Sequence, residues 1–245
     1  MLFRSVSLSC VRQTMPNSPF GISPQQPKAV VRTSADDQRV KVLQAQLEKN
    51  PQDIPARLEL VRLFESYLLY DDAIAHLALI VKQKPSADSW DELARLYERA
   101  AKLSGAESAL HEAVSLDPQS VRLHNNLGHV FLLEKKMDAA EMEFRKALEL
   151  DPAAATTRNN LGVVLGLRGD LEGALEQFQV AGDAATAHNN LAVVLMEAGK
   201  YEQSLEELGR ALAIRQNFAP ALANYKLAHD RLTERPQNVQ SKKTP

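Results

Sequence analysis

The 245-residue chain has a single cysteine, few aromatic residues (5%) and no long hydrophobic run. Because Cys10 is the single cysteine, an internal disulfide framework and a cysteine-based metal site are both excluded. No stretch approaches the roughly 20 consecutive apolar residues that cross a bilayer, so we expect no transmembrane segment. The formal net charge of −2 gives no global electrostatic case for a nucleic-acid partner.

Motifs that carry catalysis are also missing. The sequence has no phosphate-binding glycine loop, no HExxH and no GxSxG. The six histidines are scattered, and those at positions 124 and 188 are interpreted as packing residues. We therefore expect no enzyme activity, no cofactor and no metal site.

The two ends of the chain differ from its middle. Residues 1–35 contain no acidic residue, and their four prolines interrupt any periodic pattern, so we predict a disordered basic leader. Three interpretations stay open: a plain leader, with the natural start at Met15; a truncated export or lipoprotein signal that ends at Cys10; or an organellar transit peptide. The compartment is therefore cytoplasmic, or periplasmic or membrane-anchored if the leader is an export signal. Residues 236–245 are predicted to be a loose tail.

The middle of the chain repeats itself at an offset of about 34 residues. Position seven of every repeat is leucine, position eight is small or short, and position twenty is alanine or serine. Within each repeat the apolar residues follow the spacing of one helix face. The five repeats are 54–86, 87–120, 121–154, 155–184 and 185–218.

The second repeat carries the fullest pattern, with Trp90, Leu93, Ala94, Tyr97 and then Ala106, Ala113 and Pro118. It resembles the tetratricopeptide repeat (TPR). The resemblance implies an all-α, right-handed superhelical solenoid of five helix-turn-helix repeats. We expect an N-terminal helix within 36–53 and a capping helix over 219–235, since end repeats need a polar outer side.

Two local features predict how the helices begin and end. Gly169 and Gly199 lie between the two helices of their repeats, where a chain reversal favours positive φ. The fourth repeat is four residues short, and Gly182 predicts that its second helix ends about one turn early. Asp183 is then expected to cap the next helix.

In the family that the sequence resembles, the first helix of every repeat lines a concave groove. Position six would then place Asn126, Asn160, Asn190 and Asn224 in a row, and position five adds Asn125, Asn159 and Asn189. Side-chain amides can pair with the N–H and C=O groups of an extended peptide. The row is similar to the asparagine ladder of O-GlcNAc transferase. A purely structural preference for asparagine is the alternative.

Other predicted groove residues change in character along the chain, from Glu59, Arg62, Glu92 and Arg95 through His129 to Val163 and Val193. This order predicts an extended ligand with a charged end and an apolar end. Alternatively, the charged residues pair across adjacent helices and form a solvated network. In some family members a carboxylate clamp binds the C-terminus of a chaperone. The lysines of that clamp are absent here, so we do not expect a chaperone C-terminus as the ligand.

The leading hypothesis is a protein–protein interaction scaffold that binds a peptide segment, with no nucleic-acid partner. Part of the sequence looks similar to TadD-type proteins of Flp pilus assembly. A self-associating spacer, forming a homo-oligomer, and an accessory repeat region related to O-GlcNAc-transferase-type proteins remain alternatives.

Overall fold

The computed structural model describes residues 37–234, so the predicted leader and tail lie outside the described residues. This part of the chain contains helices and no strand. The helices are α1 Gln38–Lys49, α2 Ile54–Ser66, α3 Tyr70–Gln83, α4 Ala87–Arg99, α5 Leu103–Leu116, α6 Val121–Leu133, α7 Met137–Leu150, α8 Ala155–Leu167, α9 Leu171–Ala181, α10 Ala184–Glu197, α11 Tyr201–Ile214 and α12 Ala219–Thr233.

The described residues form two compact bodies, which we call the N-terminal body (37–152) and the C-terminal body (153–234). In the N-terminal body each helix from α1 to α7 packs on the next one along the chain. In the C-terminal body α8, α10 and α12 contact one another in order, while α9 and α11 pack against them. Each predicted repeat is therefore a hairpin of a first and a second helix, and the all-α prediction is confirmed.

The core of each hairpin forms where the sequence pattern predicts it. Side chains at positions seven, twenty and twenty-four are all buried. The position-twenty residues are Ala73, Ala106, Ala140, Ala174 and Ser204. A small residue here lets the second helix approach the first closely. Ser204 adds a hydrogen bond, because its Oγ donates to the Ala192 carbonyl oxygen at 2.8 Å.

The glycine at position eight is a steric requirement in two hairpins. A Cβ added to Gly128 would lie 2.7 Å from Cε1 of Phe144, and one added to Gly162 would lie 2.6 Å from Cε1 of Phe178. Both phenylalanines are fully buried. The large ring at position twenty-four therefore occupies the space that the missing side chain leaves.

Position fifteen, between the two helices, has positive φ in all five repeats. Gly169 (φ 96°) and Gly199 (φ 72°) confirm the sequence prediction. The other three repeats place a non-glycine residue there, namely Leu68, Ala101 and Lys135. A left-handed conformation costs such residues roughly 1–2 kcal/mol. The hairpin packing therefore determines the turn geometry even where the residue type opposes it.

The first and the last described helix carry polar residues where the helices between them have small ones. In α1, Arg39 stands at position twenty, and its guanidinium pairs with Asp37 at 2.8 Å. In α12, Lys226 is exposed and stands at position eight, where the five repeats have valine, alanine or glycine. A lysine at this crossing point disfavours close packing of a further second helix. These substitutions are typical of the ends of a repeat array.

The second helix of the fourth repeat ends early, as predicted. Helix α9 has 11 residues, whereas α3, α5, α7 and α11 each have 14. Asp183 then caps α10 by accepting a hydrogen bond from the Thr186 backbone N–H at 3.1 Å. Arg215 reaches Asp183 at 2.8 Å and stacks on Phe218. An ion pair thus lies at the N-terminus of α10, two residues after α9 ends.

We expect Asp183→Asn to reduce the acid sensitivity of the fold. Hydrogen bonds from Thr186, and secondarily the Arg215 charge, lower the pKa of Asp183 from 3.8 to about 2. A lowered folded-state pKa adds stability above about pH 4, and this stability is lost as the pH falls towards 2. Urea unfolding at about pH 7 and about pH 2.5 measures it. The asparagine variant should lose less stability between these pH values than the natural chain, and an equal loss would contradict the assignment.

Candidate peptide-binding face

One side of each first helix is turned away from the second helices and forms the candidate binding surface. We call it the first-helix face and define it by positions five, six, nine and twelve of the first helices. In the N-terminal body it belongs to α2, α4 and α6, and in the C-terminal body to α8, α10 and α12. All fourteen residues predicted from the sequence to contact a peptide occupy these positions.

The predicted asparagines form hydrogen bonds between neighbouring first helices. Asn190 Nδ2 donates to Asn159 Oδ1 at 3.2 Å, and Asn224 Nδ2 donates to Asn189 Oδ1 at 2.9 Å. In both cases a position-six amide bonds the position-five amide of the preceding first helix. Each bond therefore joins two adjacent first helices, and the predicted row at position six stays a prediction.

The same rule holds in the N-terminal body with a carboxylate as acceptor. Asn126 Nδ2 donates to Asp91 Oδ1 at 2.8 Å, and Asn125 Nδ2 donates to Asn126 Oδ1 at 3.4 Å. Arg122 also pairs with Asp91 and reaches Asp88 at 2.7 Å. Asp91 therefore receives two donors from the following first helix and helps set the spacing of α4 and α6.

Part of the predicted charged surface is an inter-helix network. Glu65 of α2 accepts from Arg95 at 2.8 Å and from Arg99 at 2.9 Å, and Arg95 also reaches Glu92 at 3.4 Å. Hydrogen bonding to Glu65, partly offset by burial, raises the pKa of Arg95. Glu92 and Arg95 therefore belong to a network that pairs across adjacent helices, which is the alternative given in the sequence analysis. Glu59 and Arg62 lie outside this network, and Arg62 is exposed.

His129 lies at position nine of α6. Its Nδ1 is 3.6 Å from Oε2 of Glu98 on α4. Its Nε2 is buried and has no hydrogen-bond partner among the described residues. The ring thus combines a weak contact to the preceding first helix with one unused polar atom.

The first-helix face differs between the two bodies in exposure. At position nine, the side chain of Arg95 is 47% exposed. In the C-terminal body Val163 is 0% and Val193 1% exposed, and Asn160, Asn189, Asn190 and Asn224 are also buried. Val193 packs in a cluster with Ala221 and Ala228 of α12. The expectation of open amides and open valines on this body therefore does not match the geometry, and their contact with a ligand stays a prediction.

Sequence reasoning missed a polar pair inside four of the hairpins. Positions four and twenty-three, 19 residues apart, are joined in each: Arg57 to His76 (3.4 Å), His124 to Glu143 (2.6 Å), Arg158 to Gln177 (2.9 Å) and His188 to Glu207 (2.7 Å). The second repeat has Trp90 and Ala109 instead. A complementary polar pair recurring at an offset of 19 is the signal that would have revealed them.

These pairs give the histidines a defined structural role. His124 is fully buried, and its second ring nitrogen, Nε2, lies 3.0 Å from the Pro118 carbonyl oxygen. Burial, followed by the nearby Arg57 charge, lowers the pKa of His76. The histidines at position four therefore join the two helices of a hairpin by hydrogen bonds as well as by packing.

Comparison with protein families decides the classification. Two tetratricopeptide-repeat family profiles match, one over residues 92–155 and the other over 154–181 and 184–217. The chain belongs to the tetratricopeptide-repeat family. A comparison with curated protein sequences finds no match.

Similar solved structures support the fold. YrrB, described as a TPR protein with an unusual peptide-binding site, is 22% identical with a TM-score of 0.54, covering 75% of this chain and 97% of YrrB. MamA is 18% identical with a TM-score of 0.57, covering 68% and 93%. TTC0263, a thermophilic TPR protein of Thermus thermophilus, is 18% identical with a TM-score of 0.51, covering 72% and 98%. At these identities the likeness concerns the fold alone.

The TPR classification indicates a general function. TPR proteins typically mediate protein–protein interaction, and the fold is generally a non-catalytic scaffold. Within residues 37–234, no helix has the length and apolar character needed to cross a membrane.

Proposed function

We propose that this TPR protein is an interaction scaffold whose first-helix face binds an extended segment of another protein. The observation that carries the proposal is the row of amides at positions five and six, fixed in register by hydrogen bonds between helices. Assembly or recruitment of a larger complex is the role we assign to it. Pilus or secretion-type assembly is the setting that the TadD-like part of the sequence favours.

Asn190 illustrates the hydrogen-bonding capacity that a fixed amide keeps. Asn190 uses one N–H on Asn159. An asparagine side chain has two N–H donors and one carbonyl oxygen, so a peptide that reaches this side chain, which is 8% exposed, can use its second N–H and its oxygen. Because the inter-helix bond already orders the side chain, a ligand does not bear that entropic cost on binding.

Amide contacts alone supply too little affinity. A net hydrogen bond contributes about 1 kcal/mol, so four of them correspond to about millimolar binding before ordering costs. Charged side chains of the N-terminal body are a separate source of affinity. Glu59 and Arg62 lie outside the inter-helix network, whereas Arg95 is engaged with Glu65. We assign direct recognition of charged ligand side chains to Glu59 and Arg62.

Self-association by stacking of α12 on a second copy is less well supported. Leu222 and Tyr225 are exposed on this helix, at 49% and 41%. However, Lys226 occupies the position where packed hairpins have a small residue. A partner that binds the first-helix face requires no change at this position.

A charge-reversal pair tests the proposal. Full-length protein with Arg62→Glu is compared with Lys146→Glu, which makes the same charge change on an exposed position of α7, a second helix. We expect Arg62→Glu to weaken capture of the native partner by about tenfold, the effect of losing one charged contact of about 1.4 kcal/mol, and Lys146→Glu to leave it unchanged. Equal effects of the two variants would show that the first-helix face is not the binding surface.

A further inference from the structure

The polar pair of the third hairpin is buried, whereas the pairs of the other three hairpins are partly buried. The side chain of His124 is 0% exposed and that of Glu143 is 11% exposed. Oε2 of Glu143 lies 2.6 Å from Nδ1 of the ring, and the backbone carbonyl oxygen of Pro118 lies 3.0 Å from Nε2. Both ring nitrogens therefore face an oxygen, and solvent does not reach the ring.

A neutral imidazole ring cannot form hydrogen bonds to both of these oxygens. In the neutral ring one nitrogen carries a proton and the other carries a lone pair, whereas both nitrogens of the charged ring donate. A backbone carbonyl oxygen only accepts, and so does an ionised carboxylate. With a neutral ring and an ionised Glu143, one lone pair would point at an oxygen in a buried site. The geometry therefore requires one proton more than a neutral ring and a carboxylate contain.

The ring is the better place for this proton. A free histidine keeps its proton up to about pH 6.5 and a free glutamic acid up to about pH 4.3, so the imidazole is the stronger base of the two. A carboxylate at 2.6 Å also forms a charge-assisted hydrogen bond with a charged ring. This contact offsets part of the cost of burying the charge.

We propose that His124 is held as a doubly protonated, charged ring by Glu143 and Pro118, and that this bound proton stabilises the third hairpin. Loss of the proton would leave one buried nitrogen opposite an oxygen without a hydrogen bond, so the contact between α6 and α7 weakens as the pH rises. Helix α6 also carries Asn126, which donates to Asp91 of α4. The proton thus holds a helix that contributes to the first-helix face, and the hairpin is a pH-sensitive element of the array.

Glu143 is the one titratable group in contact with the ring among residues 37–234. The other charged residues near the pair on the three packed elements are Asp117 at the end of α5, Arg122 on α6, and Glu141, Arg145 and Lys146 on α7. Arg122 pairs with Asp88 at 2.7 Å, and Arg145 pairs with Glu141 at 2.7 Å. Asp117 and Lys146 are exposed. The protonation of the ring therefore depends on its two oxygen neighbours.

The fifth hairpin provides an internal comparison. Nδ1 of His188 lies 2.7 Å from Oε2 of Glu207, which also pairs with Arg210. Within the described part of the chain, Nε2 of His188 has no acceptor, and the side chain is 14% exposed. A neutral ring with its proton on Nδ1 therefore satisfies this site. The second acceptor is what distinguishes His124.

Nitrogen-15 NMR of the histidine rings in the full-length chain tests the protonation state. At about pH 8 a free histidine is almost entirely neutral. We expect protons on both ring nitrogens of His124 at this pH, with the ring of His188 as the reference in the same spectrum. Glu143→Gln should convert Nδ1 of His124 to the unprotonated form, because the new amide N–H donates to it. A lone pair on either nitrogen of His124 in the natural chain would overturn the proposal.

Urea unfolding at about pH 7.5 and about pH 8.5 tests whether the proton stabilises the fold. An unfolded histidine releases its proton above about pH 6.5, so the stabilisation is greatest below that pH and decreases above it. One proton released on unfolding lowers the folding equilibrium constant about tenfold per pH unit. We expect the constant of the natural chain to fall about tenfold more than that of Glu143→Gln.

The comparison isolates the pair, because the two proteins share every other titratable group. Equal decreases in the two proteins would overturn the proposed stabilisation by the bound proton. Neither measurement involves a partner, so the proposed function is tested separately.

Discussion

Replacing Phe144 with alanine is expected to lower the free energy of unfolding by about 3–5 kcal/mol. The ring is fully buried at position twenty-four of α7 and fills the space above Gly128, so the substitution leaves a cavity between two helices. Urea unfolding followed by circular dichroism measures the loss. Met142→Ala is the matched control, because Met142 lies on the same helix and is 60% exposed. It should change stability by less than about 0.5 kcal/mol.

A double-mutant cycle tests whether the ring and the glycine fit each other. Gly128→Ala alone should destabilise by about 1–3 kcal/mol, because the added Cβ would lie 2.7 Å from the ring. In a Phe144→Leu background the same substitution should cost less, since the ring is gone. Strictly additive effects would contradict the proposed contact.

The second large effect is expected at the buried pair of His124 and Glu143. Glu143→Ala should lower the free energy of unfolding by about 3 kcal/mol, because it leaves a fully buried ring nitrogen without its partner 2.6 Å away. Urea unfolding at neutral pH measures it, with Glu149→Ala on the exposed side of the same helix as control. A loss below about 0.5 kcal/mol would contradict a structural role for the pair.

Replacing both partners distinguishes the contribution of the polar contact from that of the volume the two side chains fill. His124→Phe combined with Glu143→Leu removes both polar groups and keeps apolar volume between the helices. The Pro118 carbonyl oxygen loses its contact with Nε2, but neither member of the pair is left unsatisfied, so the double variant should be more stable than Glu143→Ala alone. The opposite order would indicate that the helices depend on the polar contact itself.

The repeat pattern predicted the hairpins well because their packing depends on residue size. Leucine at position seven and alanine at position twenty specify which sides of two helices meet, and residues such as Leu127 and Ala140 are buried accordingly. Gly182 likewise marked the early end of α9. The left-handed turn at Leu68, Ala101 and Lys135 could not be read from residue type, because the packing of the hairpin overrides local preference there.

The candidate site was predicted less completely. Repeat register places Asn190 and Asn224 on the first-helix face, but it does not show that each donates to an asparagine of the preceding helix. These bonds depend on the distance between helices of neighbouring repeats. The sequence of a single repeat does not specify that distance. The burial of Val163 could not be predicted from its repeat position either, because position nine is open to solvent at Arg95 and buried here.

Site-resolved photo-crosslinking of a bound partner tests the central claim most directly. A photoreactive amino acid is placed at Arg62, on the first-helix face, and in a second protein at Met142, which is also exposed but lies on a second helix. We predict that the partner captured from its native cell is attached through position 62 and only weakly through position 142. Attachment through position 142 alone, or equally through both, would contradict the account.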